Sequence, residues 1–165
     1  MPAPPPVTEA TLAAFSDAWN RHDIDALMSF MSDDCVFLTA AGPDACGTRV
    51  VGAEAVRKAF AAAWATVPDA QWRNGVHAVH GDAGTSMWTF TGTAADGTRI
   101  EVDGIDVFRF RDGKIVEIRL MMDGMSLMRQ LGVMPAQTKP GLPLPLLAMV
   151  HAKRLTQRVK RSVGR

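Results

Sequence analysis

The sequence predicts an α+β fold, a long, curved and mostly antiparallel sheet packed on three N-terminal helices. Three observations carry this. Apolar residues recur at helical spacing through three segments before residue 67. From Gln71 to Met122 the pattern changes to alternation broken by glycine turns. Helices first and strands after is the order of an α+β chain rather than of alternating α/β units.

Helix one is expected from about Thr8 to Arg21, with Thr8 as N-cap and Leu12, Phe15, Ala18 and Trp19 as its apolar stripe. Asp23 caps a second, short helix, Ile24 to Met31. Val36 to Ala40 reads as a strand, and Ala41 to Gly52 as a loop holding Gly42, Pro43 and Gly47. The third helix, Ala53 to Thr66, buries Val56, Phe60, Ala63 and Trp64 and stops before Pro68. Strands follow near Gln71–Val79, Ser86–Thr93, Arg99–Arg109 and Lys114–Met122. The last two are joined by Arg111-Asp112-Gly113-Lys114, and Asp-Gly between alternating runs is a hairpin signal.

Side chains alternate faces along a strand, so the hairpin can be sorted into an outer and an inner face. Arg99, Glu101, Asp103, Ile105, Val107 and Arg109 fall on the outer side. Ile100, Val102, Gly104, Asp106, Phe108 and Phe110 fall on the inner one, joined by Val116, Ile118, Leu120 and Met122 of the returning strand. One carboxyl, Asp106, thus stands alone on an apolar face. An unpaired buried carboxylate is costly, so such a group is partnered or held protonated. A carboxyl in that condition is a common tool of catalysis. The inward aromatics are expected both to pack the core and to line an apolar pocket.

At 165 residues the chain is one domain with tails. Residues 1–7 are expected to be a disordered lead, 8–132 the domain, 133–145 a proline-rich linker and 146–165 a basic amphipathic helix. The start lacks the basic and apolar regions of a signal peptide. Cys35 and Cys46 have no metal spacing, and no His-x-x-x-His pair exists, so reduced thiols, a cytoplasmic location, no metal and no cofactor are expected. The charge is lopsided. All 17 acids lie at or before Asp123, while residues 124–165 hold eight bases and no acid. Such a tail suits an anionic partner, either the acidic domain or a membrane surface. It has no aromatic residue to stack on bases, so no nucleic acid is expected.

Four segments resemble the nuclear transport factor two-like superfamily, in its SnoaL-like and ketosteroid isomerase-like branch. They are Ala18-Trp19-Asn20-Arg21-His22-Asp23-Ile24-Asp25-Ala26-Leu27, Met31-Ser32-Asp33-Asp34-Cys35-Val36-Phe37, Val51-Gly52-Ala53-Glu54-Ala55-Val56, and Gly104 to Val116. The resemblance implies a cone-shaped sheet and a homodimer formed through its outer face. It also implies a role for Asp106, since ketosteroid isomerases place there a protonated aspartate that donates to a substrate oxyanion. Two further groups of that enzyme are missing. Its tyrosine falls at Phe15 and its base at Thr39, and the chain has no tyrosine at all. Ketosteroid isomerase activity itself is therefore not expected. SnoaL cyclases pair an aspartate with a histidine. Here His80 and Asn74 share the parity of Trp72 and are the candidates for a second polar group, while His77 falls on the outer parity and His22 in the helix connection.

Two functions stay open at this point. The first is an enzyme on a small apolar, oxygenated substrate of steroid or polyketide kind. Asp106 would be catalytic, in a pocket of Phe15, Trp19, Thr39, Phe60, Trp64, Trp88, Phe108, Leu120 and Met122. The second is a ligand-binding or dimerisation module without catalysis.

Overall fold

The computed structural model describes residues 5–135. The expected linker from 136 onward and the basic tail helix lie outside the described residues.

Thr8 opens helix α1 (Glu9–Asn20) through a reciprocal cap in which Thr8 and Thr11 side chains satisfy each other's backbone N–H groups. Asp23 accepts from the Ala26 N–H and starts α2 (Ile24–Phe30). The next strand, β1 (Met31–Leu38), begins earlier than the apolar run suggests, because Ser32, Asp33 and Asp34 are exposed or half-buried strand residues. The expected loop contains a short strand, β2 (Arg49–Val51), which pairs with β1. Helix α3 (Ala53–Thr66) has the predicted bounds and buries Val56 and Phe60.

Four longer strands follow, β3 (Gln71–His80), β4 (Ala83–Thr93), β5 (Arg99–Arg111) and β6 (Lys114–Met122). The sheet is curved and open, in the order β2-β1-β6-β5-β4-β3. All neighbours are antiparallel except β1 and β6. The β5–β6 turn has Asp112 and Gly113 at φ of 51° and 72°, the pair of positive angles that a two-residue hairpin needs. The β4–β5 register runs without a break from Ala83–Arg109 to Thr93–Arg99, so Gly104 introduces no bulge and the alternation around Asp106 holds.

Two other registers do shift. Between Arg73 and Val76 of β3, Asn74 and Gly75 together oppose Trp88, and Asn74 adopts φ 58°. Between Arg109 and Phe110 of β5 the pairing moves by one, leaving Val116 of β6 over. Ile115, fully buried, therefore takes the inner place expected of Val116. Each bulge reverses the parity on its far side.

Helix α4 (Gly124–Gln130) follows the sheet. Its cap is Asp123, whose carboxylate accepts from the Ser126 N–H at 3.0 Å. Gln130 then satisfies the Glu101 backbone in both directions, at 2.9 and 2.7 Å, where β5 runs past the end of β6.

The inner face carries two apolar clusters. One gathers Phe15, Phe60, Phe108 and Ile115 beneath α1, α2 and α3. The other gathers Val67, Ala70, Ile100 and Val102, with Leu127 and Leu131 packed against it. On β5 the two are separated by Gly104 and Asp106.

Candidate functional site

Asp106 stands on the inner face, opposite Ser86 of β4 and Leu120 of β6. Its Oδ2 accepts a 2.8 Å hydrogen bond from the Trp88 indole Nε1. That bond depends on Gly104. Trp88 is paired with Gly104, and a Cβ at that glycine would stand 2.2 Å from the Trp88 ring. The absent side chain lets the indole lie flat on the β5 backbone with its N–H aimed at the carboxyl two residues on.

Burial raises the Asp106 pKa to about 7, and the Trp88 bond opposes the rise only in part. The carboxyl therefore holds comparable protonated and ionised populations near neutrality, which is the condition for serving as acid and as base.

The expected pocket residues fall into three groups. Phe15, Phe60 and Phe108 are at most 2% exposed and form the packed centre of the first cluster. Trp19, Trp64, Leu120 and Met122 are half-buried, and Trp88 is buried. Trp19 sits at the hub of an aromatic group, with ring centroids 4.7 Å from Phe60, 5.2 Å from Trp64 and 4.7 Å from Trp72. Asn20 fixes this hub by bonding both the C=O and the N–H of Trp72, at 2.9 and 2.7 Å. Trp64 packs against both clusters, and its Nε1 is buried without a partner among the described residues. Thr39 is half-buried, its hydroxyl donating to the Ala41 carbonyl and accepting from the Thr48 N–H. That threonine closes the loop after β1.

The histidine on the inner face is not the one that alternation puts there. Asn74 and His80 are exposed. His77, expected on the outer side, faces inward instead, because the Asn74–Gly75 bulge reverses the parity beyond it. Its Nδ1 is hydrogen-bonded to Ser86 Oγ at 2.8 Å, and desolvation lowers its pKa. The signal was present in the sequence. Asn-Gly inside a strand marks a bulge, with asparagine tolerating the left-handed conformation. His22 lies in the helix connection as expected, stacked on Trp64 at 4.9 Å with Nε2 3.0 Å from the Ala70 carbonyl. No group of three or more metal-ligating side chains occurs among the described residues. No helix there is long and apolar enough to cross a membrane.

A curved, open, six-stranded sheet over helices is the architecture of the nuclear transport factor two-like folds. The chain belongs to the SnoaL-like domain family, whose model matches residues 12–118. Solved structures of the same fold include a candidate hydroxylase, AclR from Streptomyces galilaeus (21% identity, 94% of this chain and 96% of that one, TM-score 0.66). A candidate polyketide cyclase from Xanthomonas campestris pv. campestris is similar at 21% identity, over 73% of this chain and 93% of that one, with TM-score 0.64. TerC, co-crystallised with polyporic acid, is similar at 17% identity over 73% and 95%, with TM-score 0.63. A comparison with curated proteins finds no match.

Proposed function

We propose that this chain is a SnoaL-like enzyme acting on a small, apolar, oxygenated substrate of steroid or polyketide kind, with Asp106 as its acid–base or oxyanion-stabilising group. The observation that carries this reading is the Asp106 carboxyl, poised near pH 7 by burial and aimed by the Trp88 indole. A carboxyl kept that way costs stability, and an apolar side chain at the same place would not. The half-buried walls at Trp19, Trp64, Leu120 and Met122 suit an apolar ring system. The unpartnered Trp64 Nε1 is a second donor for a substrate oxygen. The similar fold crystallised with polyporic acid supports an oxygenated cyclic ligand.

The test is a thermal-shift screen of steroids, phenols and quinones on the wild type and Asp106→Asn. A ligand that stabilises the wild type and loses most of that effect in the variant supports the reading. No ligand shift in either protein, with turnover absent, favours the non-catalytic module. That second reading has its own support in Phe15 and Thr39, which stand where the tyrosine and base of ketosteroid isomerases fall.

Under either reading we propose a homodimer through the outer sheet face. Val76, Met87, Ile105 and Met121 are directly paired across four strands, and three of them are exposed at 60, 52 and 45% for Val76, Met87 and Met121. They line an open groove of about 490 Å³ with Asp103 and Asp123 at its rim. An apolar centre with a charged rim is the anatomy of a subunit interface. Light scattering at micromolar concentration should give twice the chain mass, and Ile105→Asp should halve it. A monomeric wild type overturns the dimer.

A further inference from the structure

One side-chain polar atom is buried without a partner among the described residues, the indole Nε1 of Trp64. Its ring stands near the end of α3 and packs against both apolar clusters. Trp64 therefore sits where the clusters meet, and on β5 the same boundary is marked by Gly104 and Asp106. The neighbouring rings do not accept the N–H. His22 is stacked on the indole face, with centroids 4.9 Å and planes 25° apart. An indole N–H lies in the plane of its own ring, so a group over the face is out of its line. His22 Nε2 is already engaged with the Ala70 carbonyl. Trp19, at 5.2 Å and inclined by 62°, carries a donor and no acceptor. A buried donor left unpaired costs stability, and native folds keep few of them.

Water does not fit this place. A buried water needs about two to four polar partners, and the apolar clusters around Trp64 offer it the indole alone. An oxygen carried on an apolar ring has no such need. The ring that carries it meets the half-buried Trp72, Phe90 and Met122, which pack on the same cluster as Trp64.

We propose that Trp64 is a specificity-determining residue, whose Nε1 donates a hydrogen bond to a carbonyl oxygen of a ring ligand that meets Asp106 with a second oxygen. The inference rests on the reading of Asp106 as the group that meets an oxygenated substrate, and narrows the class of that substrate. The indole is a donor only, so it selects an acceptor. A hydroxyl there would bring its own proton into apolar surroundings with nothing to take it. A ketone or quinone carbonyl brings none. The other end is less selective. Asp106 Oδ2 holds the Trp88 bond, while Oδ1 has no partner among the described residues. A carboxyl donates when protonated and accepts when ionised, so a hydroxyl and a carbonyl both suit it. The substrate class is thus a fused or linked ring system, with a carbonyl on the side of α3 and a hydroxyl or enolisable oxygen on the side of β5. An analogue without the carbonyl leaves the indole N–H buried and unpaired, and a site of this kind discriminates against it.

The test uses the full chain and two probes of one shape. One is a hydroxytetralone, with a phenol at one end and a ketone at the other. The second is the tetrahydronaphthol that lacks only the ketone. In calorimetry the wild type should bind the ketone about tenfold more tightly, the scale of one hydrogen bond. Trp64→Phe, which keeps an aromatic ring but no N–H, should bind the two alike. In nuclear magnetic resonance spectra the wild type has four tryptophan indole N–H signals to assign. The Trp64 signal should move downfield with the hydroxytetralone and stay in place with the tetrahydronaphthol. That measurement is made on the wild type, so it decides the matter even where Trp64→Phe folds poorly. A preference for the ketone that survives Trp64→Phe, or a Trp64 signal indifferent to the ketone, overturns the assignment. Equal binding of both probes, weakened for both by Asp106→Asn, overturns the Trp64 assignment and leaves the Asp106 reading standing. Binding of neither probe at millimolar concentration overturns the pocket reading beneath it as well.

Discussion

Asp106→Asn should make the domain more stable at alkaline pH and flatten its stability between about pH 4 and pH 7. In the native state the carboxyl holds its proton up to about pH 7, against a reference value of 3.8. The folded chain therefore binds more protons than the unfolded one across that window, and stability falls as pH rises through it. Below the lower value both states are protonated and nothing is lost. Above the upper one the full penalty is present, up to about 4 kcal/mol for a shift of this size. Asparagine keeps an acceptor for the Trp88 indole and cannot ionise. Near pH 8 it should melt about 10 °C higher than the wild type, with the difference vanishing by about pH 4. Denaturation curves of both proteins across that range make the measurement. Parallel pH profiles would mean that Asp106 ionises freely in the folded protein. In an activity assay the same variant should lose about a hundredfold or more, because its amide can still hydrogen-bond a substrate oxygen but can neither give nor take a proton. A gain in stability with a loss in turnover is the signature expected of a strained functional group.

Gly104→Ala should destabilise the domain by about 3 kcal/mol, a large effect for one methyl group. The new Cβ would lie 2.2, 2.4 and 2.8 Å from three atoms of the Trp88 ring. None of these distances is tolerable, and neither partner can give way easily. The glycine sits in the middle of an unbroken β4–β5 ladder, and the indole is buried at 5% exposure. Swinging the indole away also removes the one hydrogen bond that lowers the Asp106 pKa, so the carboxyl should titrate higher still. Chemical denaturation measures the first effect. The near-ultraviolet circular dichroism of Trp88 and the carboxyl titration measure the second. A variant with unchanged stability and an unchanged tryptophan signal would mean that the indole does not lie over Gly104.

The sequence by itself determined the elements whose signals are local. Helix α3 and strand β6 begin and end where periodicity and turn chemistry put them. The Asp-Gly turn set the β5–β6 hairpin, and strict alternation along β5 put Asp106 inside. Asp123 and Ser126 held the capping signal of α4, but a helix of seven residues without a buried side chain carries too little periodicity to read. The tertiary structure decided what depends on partners. The parallel pairing of β1 with β6 joins strands far apart in sequence, and β2 exists because β1 offers it an edge. The two bulges decided more. One exchanged Val116 for Ile115 in the core, and the other turned His77 from the outer face to Ser86. Alternation has a period of two and no memory of its own register, so one extra residue reverses every side chain beyond it until a partner strand fixes the count. Asp106 was legible because the ladder beside it is continuous. His77 was not, because its face was set across the sheet, by the strand opposite.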